Sequence, residues 1–197
     1  MKKLLAAIAA LPLVLSAAAC GSNEAAQDPP LAGAAIKGDF TLLDKNGKPV
    51  SWDDFDGRYR IVYFGYAYCP DVCPLDVQSM VKGLALFARD KPELASQIQP
   101  IFITIDPERD TPSVVGEFTS AFSDKLIGLT GTPEQIKQAA KGFAAYYAKG
   151  ETSPGGGYLM DHSRAAYLMG RKGEPIALLP VEKDPQAVAA ELEKWVS

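Results

Sequence analysis

The chain has 197 residues, with 20 Lys and Arg against 24 Asp and Glu, one histidine, three cysteines and a formal net charge of −4. That length implies one domain, large enough to bury roughly 70% of its unfolded surface, so the core needs no disulfide for stability. The acidity is mild and no Lys/Arg cluster stands beyond Lys2 and Lys3, which argues against nucleic acid as a partner.

Met1-Lys2-Lys3 is followed by Leu4 to Ala19 without a charge, and then by Cys20, the layout of an export signal. The uncharged stretch contains Pro12 and is shorter than the roughly 20 residues that a spanning helix needs. Ala17-Ala-Ala-Cys-Gly21 is similar to a bacterial lipobox, whose cysteine is acylated and becomes the first mature residue, with Ala17 where Leu is usual. Cleavage after Ala19 by an ordinary signal peptidase and an uncleaved anchor are the alternatives. Losing Lys2 and Lys3 takes the formal charge from −4 to −6. The expected division is a signal peptide over 1–19, lipidated Cys20 with a Pro-rich flexible tether over 20–37, and a folded domain over 38–197. The expected location is the bacterial cell envelope, with the protein lipid-anchored and facing the periplasm or the exterior.

Phe40-Thr-Leu-Leu43 and Pro49-Val50 flank Asn46-Gly47, which predicts a hairpin with a tight turn of positive φ. Ile61 to Tyr66 is a candidate buried strand. Pro74 is suited to the first turn of a helix reaching about Asp90, with Leu75, Val77, Val81, Leu84 and Phe87 as its apolar face. Pro100 to Ile105 is a second apolar strand, and Thr111-Pro112 opens a helix ending near Phe122. A short strand over Leu126–Leu129 precedes Thr132-Pro-Glu-Gln135, a helix start with a cap and Gln three residues on, continuing through Phe143 and Tyr147. Gly150 to Gly157 reads as a loop. Arg164–Met169 and Pro175–Leu179 are strands joined by a turn, and Asp184-Pro185 starts a last helix. Alternating strands and helices closing on a hairpin and a helix imply α/β architecture with a central mixed sheet.

Cys69 and Cys73 stand in Tyr68-Cys-Pro-Asp-Val-Cys-Pro74, between a strand and a helix, and His162 lies far downstream in Asp161-His-Ser163. Four residues apart, the two sulfurs fall on one side of a turn, close enough for a disulfide or a shared metal. A loop that short gains little stability from a disulfide, so the pair is read as chemical. Pro70 and Pro74 favour a tight turn leading into the helix, with Cys73 just before it, where the helix dipole stabilises a thiolate. His162 would reach the pair from a separate loop. Two thiolates with one imidazole are a soft donor set that suits copper; zinc with a water is the competing occupant.

Tyr63-Phe-Gly-Tyr66 with the cysteine motif, Thr104-Ile-Asp-Pro-Glu-Arg-Asp-Thr-Pro112 and Asp161-His-Ser163 follow one another in order. Together they resemble the Sco/SenC family over roughly residues 36–196. The resemblance implies a thioredoxin-like fold with an N-terminal hairpin extension. It also implies copper, as Cu(I) or Cu(II), held by Cys69, Cys73 and His162, and a chaperone role in assembling the copper A centre of cytochrome c oxidase. The implied partners are the oxidase subunit carrying that centre, a copper donor and a thiol reductant in the envelope, with the membrane met through the lipid anchor.

Asp106, at the end of a central strand, is a candidate for orienting a ligand or a partner, or a turn residue before Pro107. Arg109 with Asp110 reads as a local ion pair, Asp71 as a turn residue, and Met160 as packing. The competing function is a thiol–disulfide oxidoreductase, with Cys69 and Cys73 as redox-active thiols keeping a partner's cysteines reduced. Such enzymes carry a cis-proline facing the thiols, whereas the segment before the Arg164 strand holds Asp161-His-Ser163. A peroxidase of the peroxiredoxin type is a weaker third, since Val62 and Tyr66 occupy the places its Pro and Thr or Ser would take.

Overall fold

The computed structural model describes residues 27–152, 155 and 157–197. The expected signal peptide, Cys20 and the first part of the tether lie outside the described residues, as do Ser153, Pro154 and Gly156 of the expected glycine loop. Among the described residues no helix is long and apolar enough to cross a membrane.

The strands are β1 (Thr41–Leu43), β2 (Pro49–Ser51), β3 (Tyr59–Gly65), β4 (Ile98–Thr104), β5 (Ile127–Leu129), β6 (Tyr147–Lys149), β7 (Met160–His162), β8 (Ala166–Met169) and β9 (Pro175–Leu179). The helices are α1 (Val72–Asp90), α2 (Pro92–Ser96), α3 (Pro112–Ser120), α4 (Pro133–Gly142) and α5 (Pro185–Trp195), with a 3-10 turn over Trp52–Phe55. Five strands form the central sheet in the order β5-β4-β3-β8-β9. β3, β4 and β5 are parallel, while β8 and β9 run antiparallel, so the sheet is mixed. Every residue of β3 and β4 is buried, as expected of strands covered on both faces. This is the thioredoxin-like arrangement expected from the sequence, and β1–β2 forms the N-terminal hairpin.

Local chemistry sets the helix starts. Thr111 Oγ1 accepts from Val114 N–H, Asp184 Oδ1 from Ala187 N–H, and Thr132 and Gln135 exchange a reciprocal capping pair. Proline follows each cap, where its missing N–H leaves no helical bond unmade. α1 packs against α5 through Gly83, where a Cβ would fall 2.5 Å from Val188.

Four expectations fail. The hairpin turn is wider than a two-residue Asn-Gly turn: Asp44 Oδ1 accepts from both Asn46 N–H and Lys48 N–H, and Gly47 takes a φ of 71°. The side chain of Asp44 adds these bonds to two backbone ones, Asp44 N–H to Lys48 O and Gly47 N–H to Asp44 O. Leu75 points outward with 61% exposure, and the buried stripe of α1 runs through Cys73, Asp76, Val77, Met80, Leu84 and Phe87. α4 stops at Gly142, and Ala144 adopts a left-handed φ of 51°, a conformation that ends helices. Tyr147 therefore lies in β6, which pairs with β7. Finally, Leu31 N–H bonds Ile176 O and Lys37 N–H bonds Gly142 O, so this stretch of the segment expected as a tether lies against the body.

Candidate metal centre

The site forms where β3 ends and α1 begins. Cys73 is the second residue of α1 rather than the residue before it, and its sulfur sits beside Gly65, where a Cβ would come within 3.1 Å. The missing side chain is what seats Cys73 at the end of β3. Cys69 lies four residues earlier, and its Sγ accepts the Cys73 N–H at 3.4 Å. This is an unpaired donor of the first helical turn directed at a sulfur. Both cysteines are buried and free.

His162 ends β7, in register with Tyr147 of β6, so it arrives on a strand rather than on a loop. Its Nδ1 lies 2.9 Å from Ser163 O. A carbonyl only accepts, so Nδ1 holds the proton and Nε2 presents its lone pair. That Nε2 stands 3.2 Å from Cys73 Sγ. The ring is flanked edge-on by Tyr63 and Tyr66 at 6.3 and 6.0 Å between centroids. The donor atoms of Cys69, Cys73 and His162 all lie within 4.8 Å of one another. Separations of 3.2 to 4.8 Å bracket what ligands sharing one ion with bonds of about 2.0–2.3 Å require. Burial pushes the Cys73 thiol well above the ordinary cysteine range, with the neighbouring Cys69 adding to the shift. An open cleft of about 240 Å³ leads to the site past Cys69, Pro70, Asp71, Leu159 and Asp161. Larger clefts elsewhere contain no cysteine or histidine in their linings.

The Thr104–Pro112 motif supports the site without entering it. Asp106 is buried and touches neither thiol; its carboxylate accepts from Arg109 Nε and from Tyr158 OH at 2.8 Å. Arg109 also donates to Tyr158 O at 3.0 Å and lies 3.7 Å over the Tyr158 ring, with Tyr66 and Tyr68 on its other sides. Asp106 thus fixes the segment that enters β7. The expected Arg109–Asp110 pair is not made, because Arg109 turns to Asp106. Asp110 instead accepts from Ala67 N–H at 2.8 Å and Thr104 Oγ1 at 2.6 Å, while its Oδ1 is buried without a partner. It clamps the start of the cysteine loop to β4, and burial raises its carboxyl above the usual aspartate value. Met160 is buried two residues before His162, and Tyr68 is 54% exposed at the rim.

Three supporting residues were not anticipated. Asp76 lies one turn beyond Cys73 and is 1% exposed; it accepts from Tyr63 OH and from two nitrogens of Arg164. A carboxylate on the buried stripe of a helix demands such partners, and its i+3 spacing from Cys73 was the available signal.

A thioredoxin-like domain carrying two free cysteines and a histidine at the head of its first long helix defines a class of soft-metal or dithiol proteins. The family model described as SCO1/SenC matches residues 28–197, and the chain belongs to that family. Protein SenC of Rhodobacter capsulatus is 43% identical over 159 residues, covering 80% of this chain and 69% of that protein. The mitochondrial protein SCO1 homolog 1 of Arabidopsis thaliana is 42% identical over 146 residues, covering 74% of this chain and 42% of that protein; the match spans about half or less of such mitochondrial relatives. Among solved structures, ScoI of Bradyrhizobium japonicum with copper bound shares 35% identity and a TM-score of 0.72, over 82% of this chain and 99% of that one. Yeast Sco1 with copper bound shares 32% identity and a TM-score of 0.72, over 81% of this chain and 87% of that one.

Proposed function

We propose that the chain binds one copper ion through Cys69, Cys73 and His162 in the cell envelope and delivers it to the copper A subunit during assembly of cytochrome c oxidase. The observation that carries this reading is the convergence of three soft donors within 4.8 Å. Support comes from the copper-bound relatives of the same fold and from a family resemblance that spans the whole folded part. Copper is cargo here, so the site must bind and release it. The cleft is lined by Cys69 and His162, so two of the three donors meet it, while Cys73 is fully buried. Cu(I) is satisfied by the two thiolates, and the imidazole adds the harder donor that holds Cu(II). Acylation of Cys20 would tether the domain to a membrane of the cell envelope.

The test is copper stoichiometry of the reduced domain, wild type and with Cys69→Ala, Cys73→Ala or His162→Ala. One equivalent in wild type and none bound tightly by either cysteine variant is the expected result. A wild type that takes up no copper ends this reading.

A thiol–disulfide oxidoreductase is the second reading, favoured by the Cys73 N–H aimed at Cys69 Sγ beside the cleft. The two readings separate at His162, which metal delivery needs and disulfide exchange does not. Oxidase activity is measured in a deletion strain carrying wild type, Cys69→Ser or His162→Ala, at low and high copper. The expected result is failure of His162→Ala at low copper with rescue by added copper, because mass action offsets a lost affinity. Full activity of His162→Ala at low copper, with Cys69→Ser inactive, favours the reductase.

A further inference from the structure

The elements that bring the donors together are far apart in the chain, and one ion pair ties them directly. Cys73 and Asp76 lie one turn apart on α1, and Arg164 lies two residues past His162, in the link from β7 to β8. Arg164 grips Asp76 with two prongs, Nε to Oδ2 at 2.9 Å and Nη2 to Oδ1 at 2.6 Å. Tyr63 of β3 completes the carboxylate, donating its hydroxyl to Oδ2 at 2.9 Å, and its ring also flanks His162. On its other side the histidine segment is held through Tyr147 and by Ser163 N–H to Tyr146 O. The β6–β7 ribbon is short, three residues in each strand, and its two strands pair with each other, separate from the five-stranded central sheet.

We propose that the Asp76–Arg164 pair is a clamp that sets the separation of the cysteine helix from the histidine strand, making both of them positioning residues for Cu(II). The inference deepens the copper reading and rests on it. A planar two-pronged Arg–carboxylate pair fixes distance and angle together, and burial of Asp76 keeps it from being exchanged for water. Released, β7 remains paired to β6 but loses its direct tie to α1, so Nε2 no longer faces the thiols at a fixed range. Cu(I), content with two thiolates on one helical turn, does not depend on that range.

Arg164 has 42% of its side chain exposed, but Arg164→Gln strips the buried Asp76 of its counter-charge. Each variant is therefore compared once circular dichroism shows it folded, with Asp76→Asn/Arg164→Gln as a charge-neutral companion that also lacks the fork. The comparison uses the reduced, folded protein as wild type, Arg164→Gln, Arg164→Lys, His162→Ala and the Arg164→Gln/His162→Ala double variant. The readouts are Cu(II) and Cu(I) affinity by competition, and the thiolate-to-Cu(II) absorption and paramagnetic resonance spectra. Arg164→Gln is expected to lower Cu(II) affinity by about tenfold or more and shift both spectra, with Cu(I) affinity changed by less than about threefold. Arg164→Lys, which keeps the charge without the fork, falls between. In the His162→Ala background, Arg164→Gln adds no further loss, since the coupling runs through the histidine. Unchanged Cu(II) affinity and spectra, an equal loss of Cu(I), or the same loss without His162 would each overturn the clamp while leaving copper binding intact. A wild type that binds no copper removes the copper reading and the clamp with it.

Discussion

His162 Nε2 lies 3.2 Å from Cys73 Sγ although 89 residues separate them in the chain. The sheet order makes this possible. β3 delivers the cysteines at its C-terminal end, and β8, antiparallel to β3, begins at the same end, with Ala166 opposite Tyr63. The residues just before β8 therefore arrive beside those just after β3.

The imidazole and the thiolates should matter differently to the two copper states. His162→Ala is expected to weaken Cu(II) binding by about a hundredfold more than Cu(I), because two soft donors remain for the softer ion. Cys69→Ala and Cys73→Ala should abolish tight binding of both. Equal losses of Cu(I) and Cu(II) in His162→Ala would contradict the division of labour.

Proton competition follows from the raised Cys73 thiol. A metal must displace that proton, so apparent copper affinity should climb with pH across the neutral range, by about tenfold per unit for each proton released. The stability effect has the opposite sign. The folded chain keeps the proton above pH ~8.5, where an unfolded cysteine loses it. The stabilisation is fully present below that pH and is lost as pH rises through the folded value. Denaturation of the reduced, metal-free protein should show a decline of up to about 1.4 kcal/mol between pH 8.5 and 9.5, and Cys73→Ser should show none of that component.

Gly65→Ala tests how tightly the first cysteine-bearing turn is seated. The added Cβ would meet a Tyr63 ring carbon at 2.9 Å, a Phe102 ring carbon at 3.0 Å and Cys73 Sγ at 3.1 Å. Overpacking of that kind costs about 1–3 kcal/mol. Urea denaturation should show that loss, and copper affinity should fall with it. A variant with wild-type stability and affinity would mean that Cys73 tolerates displacement.

Asp110 separates a hydrogen-bonding role from a charge role. Its Oδ2 holds Ala67 N–H and Thr104 Oγ1, while its Oδ1 is buried and unpartnered. Asp110→Asn keeps an acceptor for both and removes a buried charge, so at pH 7 it should match or exceed wild-type stability. Asp110→Ala leaves Ala67 N–H unmet and should cost about 1–3 kcal/mol. Because burial raises the Asp110 carboxyl, its contribution is fully present below the ordinary aspartate value and lost as pH rises through the folded one. The gap between Asp110→Asn and wild type should therefore close on acidification.

The sheet strands, most helix starts and the three donors were legible in the sequence because each carries a local signature. Apolar runs mark β3 and β4, Thr-Pro and Asp-Pro pairs mark three helix caps, and the cysteine motif falls between strand and helix. What was not legible depends on distant partners. Tyr147 continues an apolar pattern of helical spacing, but α4 ends where Ala144 turns left-handed and Tyr147 finds β7. Arg109 sits beside Asp110 in sequence, yet its guanidinium reaches back to Asp106 and across to Tyr158, while Asp110 takes Ala67 N–H and Thr104. Asp76 and Arg164 are an unremarked acid and base 88 residues apart, and no periodicity couples them.

The direction from which the chain enters the body bears on how the site meets a recipient. Leu31 is bonded to Ile176, beside Pro175, which pairs with Met169, and Met169 faces Arg60 near the start of β3. The cysteines follow the other end of that strand. The entry point and the copper donors are thus at opposite poles, separated by roughly 15–20 Å of strand at about 3.3 Å per residue. With Cys20 acylated as proposed, the anchor would join the body at the pole away from the cysteines, leaving the copper mouth clear of the attachment point.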